Sequence, residues 1–142
     1  MPAMKALWMT VMLWLTVSGA TGAVEAPRYK LILQVSEDSV DKLNLALNNA
    51  KNAQNAFGPD NIEIEIVVFG GGIQTLKYYT PTPIAEKLKQ ATYSGVRVVA
   101  CENALRAAKL RPSDLLREVR YVPSGIAEIV EKATQGWVYI SP

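Results

Sequence analysis

From Tyr29 onward, short apolar runs alternate with stretches of helical period. Lys30-Leu31-Ile32-Leu33-Gln34-Val35 is a nearly continuous aliphatic run, as expected of a central strand buried on both faces. Val40, Leu43, Leu47, Ala50 and Phe57 then recur near helical spacing, with Ser39 or Asp38 as N-cap, Gly58 as the stop and Pro59 beyond it. Ile62-Glu63-Ile64-Glu65-Ile66-Val67-Val68-Phe69 alternates at its start and becomes wholly apolar at its end, which predicts a strand whose beginning is exposed at a sheet edge. Gly70-Gly71-Gly72 leads into a short helix-like stretch of Ile73, Leu76 and Tyr79. Thr82-Pro83 then opens a helix that runs to Tyr93 and is stopped by Gly95. Val96 to Ala100 is a third strand with Cys101 at its carboxyl end, and Glu102 to Lys109 resumes helical composition. A short turn or helix begins near Pro112-Ser113-Asp114. A brief fourth strand, Arg120-Tyr121-Val122, ends at Pro123. The helix after it is capped by Ser124, carries Ile126, Ile129, Val130 and Ala133 on one face, and stops at Gly136; Trp137 to Ile140 makes a last strand.

A βαβαβαβαβ pattern with connections this short predicts an α/β fold, a parallel five-stranded sheet with right-handed crossovers and helices on both faces. A flavodoxin-like order, 2-1-3-4-5, places the Glu-bearing second strand at one edge and the terminal strand at the other. In that order the loops after the first and third strands flank the switch point where such sheets bind ligands, and Cys101 stands in the third-strand loop. Residues 27–142 are expected to form one domain.

The amino terminus has another character. Lys5, an apolar stretch from Ala6 to Val17 and the small residues Ser18-Gly19-Ala20-Thr21-Gly22-Ala23 make the three-part pattern of a cleavable signal peptide over residues 1–23, with cleavage after Ala20 or Ala23. The apolar stretch is too short to span a bilayer, so no stable membrane insertion is expected after cleavage. This reading makes the protein exported and periplasmic. Cleavage after Ala23 removes all four Met and, with Trp8 and Trp14, two of the three Trp.

Composition narrows the chemistry. Fifteen Lys and Arg against 13 Asp and Glu, with no basic run, give no footprint for nucleic acid and no polybasic signal for an anionic membrane. The chain has no His and a single Cys, which removes Ser-His and Cys-His nucleophile pairs and any Cys-rich metal cage. No metal and no cofactor are expected. A flavin or nucleotide site lacks its phosphate-binding fingerprint. One thiol cannot close an intramolecular disulfide, so Cys101 is either buried filler or a reagent.

Position bears on that choice without deciding it. A Cys at a strand-to-helix junction receives first-turn amides and the positive end of the helix dipole, which favour thiolate over thiol. Glu102 beside it opposes the thiolate if its carboxylate points inward, and free Cys is among the most buried residue types. Arg106, one turn along the same helix, is a candidate cationic partner, as are Lys77 and Arg97 if loops bring them close. Gly70, Gly71 and Gly72, together with Asn103 and Arg106, are candidate anion-binding positions. Three glycines in a row also suit a tight turn under close packing, and they match neither GxGxxG nor GxxxxGK[ST].

Three elements taken together resemble the DsrE/DsrF-like family. They are Val98-Val99-Ala100-Cys101-Glu102-Asn103-Ala104-Leu105, the Val67-Val68-Phe69-Gly70-Gly71-Gly72 element, and a tail with Val122-Pro123-Ser124-Gly125-Ile126 and Gln135-Gly136-Trp137-Val138-Tyr139-Ile140. The resemblance implies a flavodoxin-like fold without bound flavin, homo-oligomers, often trimers or hexamers, and a role in sulfur metabolism. It assigns Cys101 the role of accepting sulfane sulfur from a donor, holding it as a persulfide and passing it to a partner thiol protein, a sulfurtransferase or sulfur-carrier activity. The alternative is a non-catalytic oligomeric module that binds a small anion or other ligand, with Cys101 buried and structural.

Overall fold

The computed structural model describes residues 22, 23 and 25–142, so the signal peptide read over residues 1–23 lies almost wholly outside the described residues. The elements are β1 (Tyr29–Val35), α1 (Val40–Phe57), β2 (Ile62–Val68), a 3-10 helix (Gly70–Leu76), α2 (Thr82–Tyr93), β3 (Arg97–Cys101), α3 (Glu102–Ala107), a 3-10 turn (Pro112–Asp114), β4 (Arg120–Val122), α4 (Gly125–Thr134) and β5 (Val138–Ile140). Local signals act as the sequence predicts. Ser39 Oγ accepts from the Lys42 amide at 3.3 Å to cap α1, and Gly58 ends it at φ 89°.

All four strand pairings are parallel, as expected, but the strand order is β4-β3-β2-β1-β5 in place of 2-1-3-4-5. β2 is not an edge strand: it lies between β1 and β3, and six of its seven residues are buried. The alternation of Glu63 and Glu65 has another cause. Arg97, across on β3, donates to Glu63 Oε1 at 2.7 Å and to Glu65 Oε2 at 3.0 Å, so the carboxylates are paired on an interior face rather than left in solvent. The edges are β4 and β5.

This order fixes where the helices go. The crossovers from β1 to β4 all step in one direction, so right-handedness puts α1, α2 and α3 on one face; the return from β4 to β5 puts α4 on the other. The core divides accordingly. Leu31, Leu33, Ile64, Ile66, Val98 and Ala100 pack with Leu43, Leu47, Leu88 and Leu105 on the first face. Ile32, Val67, Val99 and Trp137, with Phe69, Val122 and Ile129 at their margin, form a smaller cluster under α4. The expected apolar face of α4 needs correction: Ile126 and Val130 are more than half exposed and Ala133 is exposed, while Gly125, Glu128, Ile129 and Lys132 turn towards the sheet.

Candidate functional site

Cys101 ends β3 in register with Val122, the last residue of β4. The two strands send their following helices to opposite faces, α3 to one and α4 to the other, which makes the gap between their carboxyl ends a switch point of the sheet. The sequence placed Cys101 at a switch point between β1 and β3. In the structure β2 separates those strands, and the opening lies one strand further, between β3 and β4.

The parity of β3 decides what the thiol meets. Val98 and Ala100 pack under the α1–α3 layer, so Val99 and Cys101 point to the α4 side. There α4 begins directly against the cysteine. A Cβ on Gly125 would stand 3.3 Å from Cys101 Cβ, 3.0 Å from Phe69 Cβ and 3.2 Å from Val67 Cγ1, so only glycine lets the helix start approach this closely. Ser124 caps the helix by accepting the Ala127 amide on Oγ at 3.3 Å, and the Gly125 and Ile126 amides belong to the same first turn, whose N–H groups have no partner within the helix. Cys101 is also the residue at the start of α3. The thiol therefore faces the start of α4, while α3 leaves from the backbone of Cys101 towards the other face of the sheet. The thiol is sheltered, with 6% of Cys101 exposed. Gly125→Ala is expected to push the start of α4 outwards, lowering stability by about 1 kcal/mol and speeding alkylation of Cys101; thermal melts and timed iodoacetamide labelling read the two effects.

The other predicted site residues are placed as follows. Arg106 lies on the exposed side of α3, where it donates to Asn103 Oδ1 and stands 3.9 Å from Glu102. Glu102 is thus engaged along its own helix. Lys77 bridges to Leu115 and sits 5.5 Å from the Tyr79 ring. Arg97 is four residues of extended chain from Cys101, about 13 Å, and is bound to Glu63 and Glu65. The structure does not bring Arg97 to the thiol. Gly70 has φ 53°, and Gly72 is buried with its α-carbon against the end of β1, where a Cβ would lie 2.4 Å from Val35 O. Close packing on β1 accounts for these two glycines.

Sequence reasoning missed Phe69 and Gly125 as the wall of the cysteine. One signal was available for Gly125: a glycine at the first helical position after a Ser cap, where most residues serve better, marks a close approach. It also missed a charged cluster further down the same face. Lys132 Nζ stands 3.7 Å from Glu128 Oε1 and 4.0 Å from Glu65 Oε2, and it lies 4.6 Å from the centre of the Trp137 ring, which Arg97 approaches at 5.5 Å. Burial pushes the Glu65 carboxyl above its ordinary range, and the neighbouring Glu128 carboxyl adds to this against the opposing pull of Arg97.

Among the described residues no group of His, Cys, Asp and Glu has a metal-binding arrangement, and no helix is long and apolar enough to cross a membrane.

Solved structures share this architecture. A protein of unknown function from Methanobacterium thermoautotrophicum is 32% identical, with a TM-score of 0.74 over 80% of this chain and 99% of its own. The ychN protein from E. coli, 13% identical, has a TM-score of 0.65 over 81% of this chain and 99% of its own. A conserved protein of unknown function from Bacteroides thetaiotaomicron, 18% identical, has a TM-score of 0.54 over 80% and 94%. The latter two likenesses concern the fold alone. No curated protein matches the chain. The DsrE/DsrF-like family model matches residues 30–142, from the first strand through Cys101 to the last residue, and the chain belongs to the DsrE/DsrF-like family.

Proposed function

We propose that the protein is a sulfur carrier in which Cys101 accepts sulfane sulfur and hands it to a partner thiol. The observation that carries this reading is the position of the one cysteine of the chain, at the carboxyl end of β3 in the β3/β4 switch point, with the first residue of α4 against it. Membership of a family associated with sulfur relay supports it. With thiosulfate as donor, the Cys101 thiolate attacks the outer sulfur, the S–S bond of thiosulfate breaks and sulfite leaves with the bonding pair; Cys101 then holds a persulfide anion. A partner thiolate attacks that outer sulfur, becomes the persulfide, and Cys101 returns to thiolate. Neither step needs a metal, a histidine or an external oxidant.

Intact mass of the purified protein before and after thiosulfate or polysulfide tests the proposal. The expected result is a gain of one sulfur per chain, reversed by dithiothreitol and absent from Cys101→Ser. No gain, with a thiol that alkylates only on unfolding, would reject the carrier and favour the second reading, a small-anion-binding module with a structural cysteine. The 6% exposure of Cys101 is what speaks for that reading.

Two further features belong to the proposal. The protein is exported, read from the pattern of residues 1–23, and amino-terminal sequencing of the secreted form starting near Thr21 or Val24 checks it. It assembles as a trimer or hexamer, for which Ile126, Val130, Val138 and Ile140, each 44–60% exposed on α4 and β5, supply apolar surface to cover. A monomeric mass in analytical ultracentrifugation at micromolar concentration would reject the assembly.

A further inference from the structure

The charged cluster beneath α4 has an unbalanced composition. Glu63 and Glu65 from β2 and Glu128 from α4 face Arg97 from β3 and Lys132 from α4, three carboxylates against two cations. The other strands add little. Ile32, opposite Glu65 on β1, is apolar; Lys30, opposite Glu63, is exposed; and Trp137, leading into β5, offers the cations its ring. Glu65 is the deepest member, with 3% of its side chain exposed. Its Oε2 receives Arg97, while its Oε1 is buried and finds no hydrogen-bond partner among the described residues. Both the Glu65 and Glu128 carboxylates lie within 4.0 Å of one ammonium, Lys132 Nζ. Two carboxylates thus reach one partly buried ammonium, and the deeper of them keeps a buried oxygen without a partner, a place where a proton would lower the negative charge of the cluster. One proton also makes the cluster neutral.

We propose that Glu65 and Glu128 share one proton, and that this proton holds α4 down on the sheet and so keeps Cys101 covered. The covering role rests on the carrier reading of Cys101; the proton itself does not. Among the described residues α4 is the one helix on this face, over a cluster of four buried residues, Ile32, Val67, Val99 and Trp137. Its first residue presses on Cys101, and Glu128 and Lys132 follow one and two turns later on the same side, over Glu65. The cluster therefore fastens a short helix from its first turn to its last, and the first residue of that helix closes the thiol site. Loss of the proton leaves a net negative charge in a half-dry space between α4 and β2, and the helix lifts to hydrate it.

The sign follows from the raised Glu65 carboxyl. The folded chain holds this proton more tightly than the unfolded one, so the contribution to stability is full below the ordinary carboxylate range and is lost as pH rises through the pKa of Glu65 in the folded state. Opening of α4 grows by up to about tenfold per pH unit between the ordinary carboxylate range and that raised pKa, and levels off above it.

Hydrogen exchange of the whole protein between about pH 5 and about pH 9, corrected for the intrinsic pH dependence of amide exchange, measures this directly. Peptides from α4 should lose protection as pH rises while those from α1 keep theirs. Glu65→Gln, which fixes a neutral amide donor at the site, should make α4 protection independent of pH. Glu128→Gln, on a helix at the surface, provides the same test if the first variant does not fold. Alkylation of Cys101, divided by its rate in the unfolded chain at the same pH, should rise in step with α4 exchange in the parent and stay flat in the variants. Parallel behaviour of α4 and α1 at every pH, an unchanged slope in the variants, or alkylation that ignores α4 exchange would each overturn the proposal. The Cys101→Ser variant separates the two readings: its α4 response persists if the proton is right, whether or not Cys101 carries sulfur.

Discussion

Gly72→Ala is expected to lower stability by about 3 kcal/mol, the upper part of the range for forced overpacking, seen as a shifted urea midpoint with an unchanged slope. The new Cβ would lie 2.4 Å from Val35 O, 3.0 Å from Val35 C and 3.1 Å from Val68 Cγ1. Two of these atoms are backbone at the end of β1, which is held by β2 on one side and β5 on the other and cannot yield alone. The substituted chain must move the 3-10 helix that follows β2. That helix buries Ile73 and Leu76 and is held by the 2.7 Å bond from Thr75 Oγ1 to Gly72 O, so the shift spreads into the larger core. Gly71→Ala, whose Cβ would meet its nearest atom at 3.1 Å on an exposed turn, should cost much less. Equal losses in the two variants would contradict this account.

Arg97→Ala is expected to cost about 3 kcal/mol for a different reason. Arg97 is the cation that both Glu63 and Glu65 receive, and burial of Glu65 leaves its charge little access to water. Removing one partner of a buried pair strands the other, which costs more than the pair contributes. Burial acts against the charge of Arg97, and its hydrogen bonds to Glu63 and Glu65 outweigh it, so the guanidinium stays ionised. Replacing Arg97 by Met and Glu65 by Leu together should recover much of the loss, because the deeply buried carboxylate is gone and the Glu63 that remains is part-exposed and reaches water. A double variant as unstable as Arg97→Ala would show that packing, not charge, is what Arg97 supplies.

The elements were legible because their signals are local. Ser39, Gly58, Pro83 and Ser124 mark helix ends within a few residues, and the aliphatic runs mark strands without knowledge of their neighbours. The position of Cys101 at a strand end was legible for the same reason. The strand order was not. Glu63 and Glu65 look like solvent-facing residues until Arg97, more than thirty positions later, is placed opposite them. The face of α4 failed likewise: Ile126 and Val130 have the spacing of a core stripe, but the sheet below offers Glu65 and Trp137, which call for Glu128 and Lys132. The walls of the thiol site, Phe69 and Gly125, come from the residue after β2 and from the start of α4, and no spacing within either segment points to a cysteine on β3.

The strand order also sets a timetable. Strands β2, β3 and β4 each pair with the strand before them, so the sheet can grow as the chain lengthens, whereas β5 must return past all of them to pair with β1. Until that pairing forms, Ile32, Val67 and Val99 lie open on the second face and Cys101 has no roof. The interval between growth of the sheet and arrival of α4 and β5 is when the thiol is most open to unwanted oxidation and the open face most open to other chains. Burial of Trp137, the aromatic of that late segment, should therefore lag behind protection of the β1–β3 amides during refolding.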